Sequence, residues 1–258
     1  MNPPAPSPSS PQPFIEVRGL HKRIGTQHII RGMDLTIHHG ESLAIIGGSG
    51  TGKSVTLKLI MGLMPATSGS ITVDGQEITT LTERQLGPHR RKIGMLFQDG
   101  ALFDSLTVEE NVAFPLLEAG EKDHAKIAAT VHEVLDDVGL AEHKQKLPSA
   151  LSGGMRKRAA LARAVVTKPR CILYDEPTAG LDPIVSDSID KLIRRTQRRY
   201  GCTSVIVTHD MKSVRTVADR VLYLRDGTVY FNGPPGELFA SPDPVIQQFV
   251  EGRSDEPN

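Results

Sequence analysis

Residues 41–60, ESLAIIGGSGTGKSVTLKLI, place four glycines between an apolar run and a segment of helical pattern. The turn matches the spacing G-x-x-x-x-G-K-[ST], in which Lys53 and Ser54 follow the last glycine. Because glycine has no Cβ, successive backbone N–H groups can point at one anion, and the following helix adds the positive end of its dipole. The stretch therefore predicts a phosphate-binding loop between a strand at 42–47 and a helix at 54–63.

The residue types in this loop suit a bound phosphate chain. Lys53 supplies a point charge for the β- and γ-phosphates, and Ser54 supplies a hydroxyl ligand for Mg²⁺. A flexible glycine turn is the alternative, because this spacing arises by chance in roughly one chain in a hundred of this size. The remaining predicted phosphate contacts are Gly47, Gly48, Ser49, Gly50, Thr51 and Gly52.

Two carboxylates and a histidine follow apolar runs further along the chain. Asp175 and Glu176 end CILYDE, and in an open α/β sheet such strand ends form the ligand-binding edge. We expect Asp175 to hold the metal through water, and Glu176 to orient and deprotonate an attacking water. Without the glycine loop, an ordinary strand-to-loop exit would be the better interpretation. His209, after TSVIVT, is expected at the same edge in contact with the γ-phosphate, although a lone histidine there is usually structural.

Composition limits the class of protein. The chain has 258 residues with 38% hydrophobic content, enough for one large domain or two lobes. Lys plus Arg and Asp plus Glu balance at 30 each, which gives no electrostatic case for nucleic-acid binding. No run approaches the roughly 18 apolar residues of a membrane span, and no signal-peptide pattern is found, so a cytosolic chain is expected. Cys171 and Cys202 lack metal-ligand spacing and are interpreted as small core residues.

Changes of pattern divide the chain. Residues 1–13 hold six of the 18 prolines and no charge, which predicts a disordered tail. Strand patterns dominate the first third, and Asp-Gly hairpin signals occur in ITVDGQEI and in DRVLYLRDGTVYFNG. Between Thr107 and Ala150 the period becomes helical, and Thr107 with Glu110 fits a capping box. The helical segment DPIVSDSIDKLIRRTQRR then separates two apolar strands, the βαβ pattern of a parallel α/β sheet.

At this point the motifs indicate a family. From about Phe14 to Glu251 the chain resembles the nucleotide-binding subunit of an ABC transporter, with the signature LSGGM between a Walker A loop and YDEPTAGLD. The resemblance implies ATP and Mg²⁺ as cofactors, ATP hydrolysis as the activity, and a RecA-like P-loop α/β core with an antiparallel β subdomain and an inserted α-helical subdomain. The implied division is 14–98 and 160–235 for the core, 99–159 for the helical subdomain, and 236–258 for a C-terminal extension.

The resemblance also assigns roles to residues outside the loop. Gln98 in MLFQDG matches the Q-loop, which contacts metal and γ-phosphate in the family, and Asp182 closes the D-loop AGLD. His209 matches the switch histidine. Where the family usually has an adenine-stacking aromatic residue, this chain has Ile24, so weaker base stacking is expected.

The signature residues are expected to act in trans. Ser152, Gly153 and Gly154 begin the helical segment GGMRKRAALARAV, whose N-terminus would be a second anion site that Ser152 also caps. In the family, two copies pack head to tail and hold ATP between the Lys53 loop of one copy and the Ser152 helix of the other. The resemblance therefore implies a second copy of the chain as a partner.

The segment FQDGALFDSLTVEENVAFPL resembles ATPases of the Mla type, which move phospholipid between bacterial membranes. Met155 in the signature and the ending DPVIQQFVEG favour the same subfamily. This resemblance implies permease subunits and an MCE-domain lipid-binding protein as partners, and a peripheral place on the cytoplasmic face of the bacterial inner membrane. Ala101, Leu102, Phe103 and residues 112–117 offer an apolar surface for a permease helix, or form the core of the helical subdomain.

Two other functions are possible. Within the transporter class, the cargo could be another compound, such as an amino acid or a small anion. Outside it, ATP-driven dimerisation could clamp DNA or ribosomes, but that function predicts a basic surface or a second motif set, and net charge here is zero.

Overall fold

In the computed structural model, which describes residues 13–253, the strand before the glycine loop lies inside a six-stranded sheet. The strands are β1 (Pro13–Ile24), β2 (Gln27–His38), β3 (Ser42–Gly47), β4 (Ser68–Val73), β5 (Gln76–Glu77), β6 (Ile93–Leu96), β7 (Cys171–Asp175), β8 (Thr203–Val207), β9 (Arg220–Arg225) and β10 (Thr228–Gly233). The α-helices are α1 (Lys53–Ile60), α2 (Glu83–Arg90), α3 (Val108–Glu118), α4 (His124–Asp137), α5 (Gly153–Val165), α6 (Pro183–Tyr200), α7 (Met211–Val217), α8 (Pro235–Phe239) and α9 (Pro244–Glu251).

The large sheet has the order β10-β9-β3-β8-β7-β6, and every pair in it is parallel except β9 with β10. Every residue of β3, β7 and β8 is buried, as expected for strands covered by helices on both faces. The register pairs Asp175 with Val207 and Gly47 with Leu224, so these strands end together. The predicted α/β fold with a parallel core is confirmed, and its carboxyl edge lies beside the glycine loop.

The second sheet is antiparallel, with the order β2-β1-β4-β5. Both predicted Asp-Gly hairpins are present, at Asp74-Gly75 and Asp226-Gly227, and all four residues have φ between 51° and 79°. Those angles suit a tight hairpin turn that favours Asp and Gly. Local turn chemistry therefore determines both hairpins.

Helices α3, α4 and α5 pack together between β6 and β7 in the chain. Thr107 caps α3: its Oγ1 accepts from the Glu110 N–H, and the Glu110 carboxylate accepts from the Thr107 N–H at 2.7 Å, which confirms the predicted capping box. On α4, Ile127, Val131 and Leu135 are buried at the predicted helical spacing. The exact subdomain limits remain a prediction.

The predicted disordered tail lies outside the described residues except for Pro13, which begins β1 and pairs with His38. Helix α1 ends at Ile60, before the predicted limit of residue 63, because Gly62 turns the chain at φ 68°. Cys171 and Cys202 are buried free thiols, as predicted, and burial raises the pKa of each.

Within residues 13–253, no helix is both long and apolar enough to cross a bilayer.

Candidate nucleotide-binding site

The glycine loop needs glycine for packing as well as for an anion. A Cβ on Gly47, where φ is 150°, would lie 2.4 Å from the Leu224 carbonyl oxygen. A Cβ on Gly52, where φ is 102°, would lie 3.2 Å from the Ile30 side chain. Gly52 is also the N-cap of α1, whose first turn has no acidic residue and no side-chain cap. The positive end of the helix dipole is therefore not compensated by a side chain of its own helix.

Lys53 folds over this loop. Its Nζ donates to the carbonyl oxygens of Gly47 at 2.8 Å and Gly48 at 2.9 Å. Partial burial lowers the pKa of Lys53, while the nearby Glu176 and Asp175 carboxylates oppose that shift. The ammonium group thus contacts the loop backbone and interacts electrostatically with the carboxylates of Asp175 and Glu176.

Ser54 and Asp175 are in direct contact. The Ser54 hydroxyl donates to Asp175 Oδ1 at 2.7 Å, and Asp175 is only 7% exposed at the end of β7. A hydroxyl and a carboxylate at this distance are oxygen ligands of the kind that Mg²⁺ prefers. Within residues 13–253, His, Cys, Asp and Glu side chains form no metal-binding group of three or more. An ion here would therefore need phosphate or water oxygens to complete its coordination.

Glu176 and His209 form the second contact of the site. His209 Nδ1 lies 2.9 Å from Glu176 Oε2, with the histidine side chain 68% exposed and the glutamate side chain 13% exposed. Glu176 has φ 48°, a left-handed conformation that is strained for a residue with a Cβ. Its N–H donates to the Val207 carbonyl at 2.9 Å, which helps to hold that conformation. The carboxylate is thus sheltered, oriented and next to an exposed imidazole.

The predicted Q-loop residue joins this group through its backbone. Gln98 follows β6 and is exposed, and its carbonyl oxygen accepts a hydrogen bond from Lys157 Nζ. The same Nζ lies 3.4 Å from the Glu176 carbonyl oxygen. Sequence analysis missed Lys157, although its place on the buried face of a helix, between Gly154 and Leu161, was a signal.

The signature residues lie at the start of α5 and contact the D-loop region. The Ser152 hydroxyl accepts from the Met155 N–H at 3.3 Å, which confirms that it caps the helix. A Cβ on Gly154 would lie 2.6 Å from Val185 Cγ1 on α6, and a Cβ on Gly153 would lie 3.1 Å from Leu181 Cδ2. Packing within the chain therefore demands small residues here, a reason that sequence analysis did not supply.

Asp182 has a clear local role. Its Oδ1 accepts from the N–H groups of Ile184 at 3.0 Å and Val185 at 3.1 Å, so it caps α6. The structure thus brings Lys53, Ser54, Asp175, Glu176 and His209 into one connected group and links Gln98 to it through Lys157. Ser152 contacts α5 itself, whereas Gly153 and Gly154 lie against Leu181 of the D-loop and Val185 of α6.

The profile of the ABC transporter family matches residues 30–179 of this chain. The chain belongs to the ABC transporter family, as an ATP-binding cassette, and it is an ATPase. It is 44% identical over 240 residues to the probable ribonucleotide transport ATP-binding protein Mkl of Mycobacterium tuberculosis, covering 93% of this chain and 67% of Mkl. It is 39% identical over 261 residues to protein TRIGALACTOSYLDIACYLGLYCEROL 3, chloroplastic, of Arabidopsis thaliana (95% and 75% covered). It is 40% identical over 245 residues to the methionine import ATP-binding protein MetN of Mesorhizobium japonicum (95% and 67% covered).

Solved structures of cassettes share this fold. The dimeric post-hydrolysis state of the cassette MJ0796 bound to ADP and Pi matches with a TM-score of 0.79 and 32% identity, covering 86% of this chain and 98% of that one. CbiO1 from Clostridium perfringens, part of the transporter complex CbiONQ, matches with a TM-score of 0.82 and 32% identity, covering 92% and 94%. These matches confirm the predicted cassette fold.

Proposed function

We propose that this chain is the motor subunit of a phospholipid transporter, in which two copies close on two ATP molecules and drive membrane-embedded permease subunits. The connected group of Lys53, Ser54, Asp175, Glu176 and His209 carries the proposal, because it places a phosphate-binding cation beside a sheltered carboxylate and an imidazole. Closure on ATP would move the permeases, and hydrolysis would reset them.

Each residue has a role in this proposal. Lys53 exchanges its two carbonyl partners for phosphate oxygens, and the N–H groups of residues 47–52 bind the same phosphates. Glu176 orients a water molecule and accepts its proton, since its carboxylate is sheltered and held by His209. His209 in turn presents its other ring nitrogen to the γ-phosphate.

The residues also suit a magnesium ion. Ser54 and Asp175 would hold it with help from Gln98, and the bound ion would neutralise charge on the β- and γ-phosphates. Asp182, as the cap of α6, positions the D-loop next to the shared nucleotide.

A second copy completes the nucleotide site in this proposal. The N-terminus of α5 has a serine cap and two glycines and no acidic side chain in its first turn, so it is suited to approach an anion that another chain already holds. The dimeric arrangement described for MJ0796 with ADP and Pi supports such a pair.

An apolar surface next to the Q-loop is suited to a permease helix. Phe103 is 43% exposed and Leu117 is 49% exposed, and the Phe103 ring packs 4.8 Å from the Phe114 ring. The guanidinium of Arg163 lies over Phe103 and donates to the carbonyl oxygens of Gly100 and Ala101, which fixes this segment. Other residues of the predicted surface, such as Val112, are fully buried and belong to the core.

Phospholipid is the cargo that we favour. The resemblance of residues 97–116 to Mla-type ATPases supports it, as does the glycerolipid in the name of the Arabidopsis relative. The same reasoning implies an MCE-domain lipid-binding protein as a partner at the cytoplasmic face of an inner membrane. A methionine importer is the second candidate, favoured by the MetN relative at 40% identity.

Replacement of Glu176 tests the chemistry. Glu176→Gln should lower kcat for ATP hydrolysis by about a hundredfold or more, because an amide cannot accept the proton. The same variant should accumulate an ATP-bound dimer, visible by size-exclusion chromatography with light scattering. Near-normal hydrolysis would refute the role of Glu176 as the base.

Reconstitution tests the cargo. The complex purified from native membranes and placed in vesicles should move fluorescent phospholipid only with ATP, and the Glu176→Gln complex is the matched control. Co-purification of an MCE-domain protein is expected. ATP-dependent methionine uptake with no lipid transfer would favour the second candidate instead.

A further inference from the structure

A buried lysine lies on the signature helix. Lys157 is only 6% exposed, in a helix whose other buried residues are small or aliphatic. A lysine is almost never buried without partners, because removing its charge from water is costly. Its partners here are the backbone carbonyls of Gln98 and Glu176.

Both carbonyl partners follow strands of the six-stranded sheet. Gln98 lies just after β6 and Glu176 just after β7, and these two strands pair in parallel. One ammonium group therefore bridges the ends of neighbouring strands, at the Q-loop and at the catalytic carboxylate. Removing that group would leave two carbonyls without a charged donor.

The contact with Glu176 lies where the backbone is strained. A residue with a Cβ at φ 48° is strained, and it keeps that conformation only if its surroundings hold it. The Glu176 N–H is held by Val207, and its carbonyl accepts from Ala179 N–H at 3.2 Å besides facing Lys157. Burial lowers the pKa of Lys157, while the carboxylates of Asp99, Glu176 and Asp175 favour its charged form. The ammonium thus helps to fix the direction of the catalytic side chain.

The same helix carries the signature. Lys157 follows Ser152 by five residues, which is about 7.5 Å along the helix axis at 1.5 Å per residue. The first turns of α5 therefore carry both the exposed Ser152 and the buried Lys157, which faces the site of its own chain.

We propose that Lys157 is a positioning residue that couples the tilt of helix α5 to the placement of Gln98 and Glu176 in the same chain. This inference rests on the proposed dimer, because there the N-terminus of α5 meets the nucleotide of the partner. Engagement of Ser152 with that nucleotide then aligns the helix, and Lys157 transmits the alignment to the other site. The two ATP sites are thereby coupled through one side chain.

Substitutions at Lys157 test the proposal. Lys157→Met should lower kcat at least about tenfold while KM for ATP stays within about twofold, because the phosphate loop is untouched. The kcat of Lys157→Gln should lie between those of Lys157→Met and wild type, since its amide can donate to one carbonyl. Lys157→Arg should restore kcat to within about threefold, because it keeps a buried charged donor. Lys126→Met, on an exposed lysine of α4, is the matched control and should leave kcat unchanged.

Coupling between the sites gives a second readout. In wild type the hydrolysis rate should rise cooperatively with ATP, and the Hill coefficient should fall to about 1 in Lys157→Met but not in Lys157→Arg. Rates are normalised to bound fluorescent ATP analogue, so that misfolded protein is not counted. A kcat within twofold of wild type in Lys157→Met would overturn the proposal. Equal losses of kcat in all three Lys157 variants, with KM and melting temperature shifted in parallel, would overturn it too.

The dimer itself is tested separately. Glu176→Gln should dimerise with ATP, and Glu176→Gln with Lys157→Met should do so too. If Glu176→Gln alone stays monomeric with ATP, the proposed function fails. If it dimerises and Lys157→Met hydrolyses normally, only the role of Lys157 fails.

Discussion

The glycine loop and the signature each lie at the N-terminus of a helix, but the side chains around the two helix starts differ. Helix α1 starts without a side-chain cap and has Lys53, Ser54, Asp175 and Glu176 in mutual reach. Helix α5 starts with a capped turn, Ser152 to Met155, and has no acidic residue in its first turn. The start of the first helix therefore lies near a lysine, a hydroxyl and two carboxylates, whereas the start of the second has a hydroxyl cap and backbone N–H groups.

In our proposal, this difference explains why one chain needs a second copy. A capped helix start can stabilise an anion that is presented to it, but it has no residue that could hold magnesium or activate water. Near the glycine loop, Ser54, Asp175 and Glu176 are the residues that we propose for those roles. In our proposal, the glycine-loop side of one copy binds and cleaves ATP, and closure requires the α5 N-terminus of the second copy.

The largest effect is expected from a charge at the signature. Ser152→Asp should keep the cap, because Asp is as good an N-cap as Ser, but it should repel the γ-phosphate of the partner. Hydrolysis should fall about a hundredfold or more, as when one donor to transition-state charge is lost. Binding of a fluorescent ATP analogue to the loop should remain unchanged.

Ser152→Ala is the matched control for this change. It should cost about 1 kcal/mol of unfolding free energy through the lost cap, with a smaller loss of hydrolysis. Equal activity in the two variants would show that Ser152 acts only as a cap, and the contrast between the two helices would then disappear.

A smaller effect is expected where the signature packs against its own chain. Gly154→Ala should destabilise by roughly 1–3 kcal/mol, because the added methyl group would meet Val185 at 2.6 Å. Combining it with Val185→Ala should restore most of that loss in urea unfolding. Gly153→Ala, which meets only the flexible end of Leu181 at 3.1 Å, should cost less. Additive losses in the double variant would contradict this packing.

Some of these features could be predicted from the sequence, because they depend on neighbours in the chain. The capping box at Thr107, the Asp-Gly turns and the glycine loop are each encoded within eight residues, and the structure has all of them. The strand ends that carry Asp175 and His209 were predicted for a similar reason, since parallel strands end at one edge.

The missed features join segments that are distant in sequence. Lys157 meets a carbonyl 59 residues away, and Gly154 meets Val185 on another helix. Asp190 on α6 accepts from Ser213 on α7, and nothing in either helical pattern predicts that pair. Hydrophobic periodicity gives the buried face of a helix, but not the polar atoms that this face will meet.

The buried Asp190, which lies outside the proposed nucleotide site, should make the stability of the fold depend on pH. Burial raises the pKa of this 3%-exposed side chain to about 6, and Asp210 and Asp187 add to the shift. The folded state keeps this proton up to a higher pH than the unfolded state, so its contribution to stability falls as pH rises from about 4 to 6 and above. Between pH 5 and pH 8, the free energy of unfolding of Asp190→Asn relative to wild type should therefore rise by roughly 1 kcal/mol. Parallel stability curves in urea would contradict this raised pKa.

The smallest effect is expected at the predicted base-binding position. Ile24 is 46% exposed, and Ile24→Tyr should lower KM for ATP by between about twofold and tenfold through stacking on adenine. The kcat should not change, because the phosphates are bound elsewhere. Leu147→Tyr, at another exposed aliphatic residue, is the control. An unchanged KM in Ile24→Tyr would mean that the base lies elsewhere.

Mixing two inactive variants tests the shared nucleotide site most directly. In a dimer of Lys53→Ala with Ser152→Asp, one site joins an intact glycine loop to an intact signature, and the other site carries both changes. An equimolar mixture should therefore hydrolyse ATP faster than either variant alone, up to about a quarter of the wild-type rate, because half of the dimers are mixed and each has one intact site. Coupling between the two sites would bring the recovered rate below that limit. A mixture no more active than either variant alone would show that the two helix N-termini do not meet on one nucleotide.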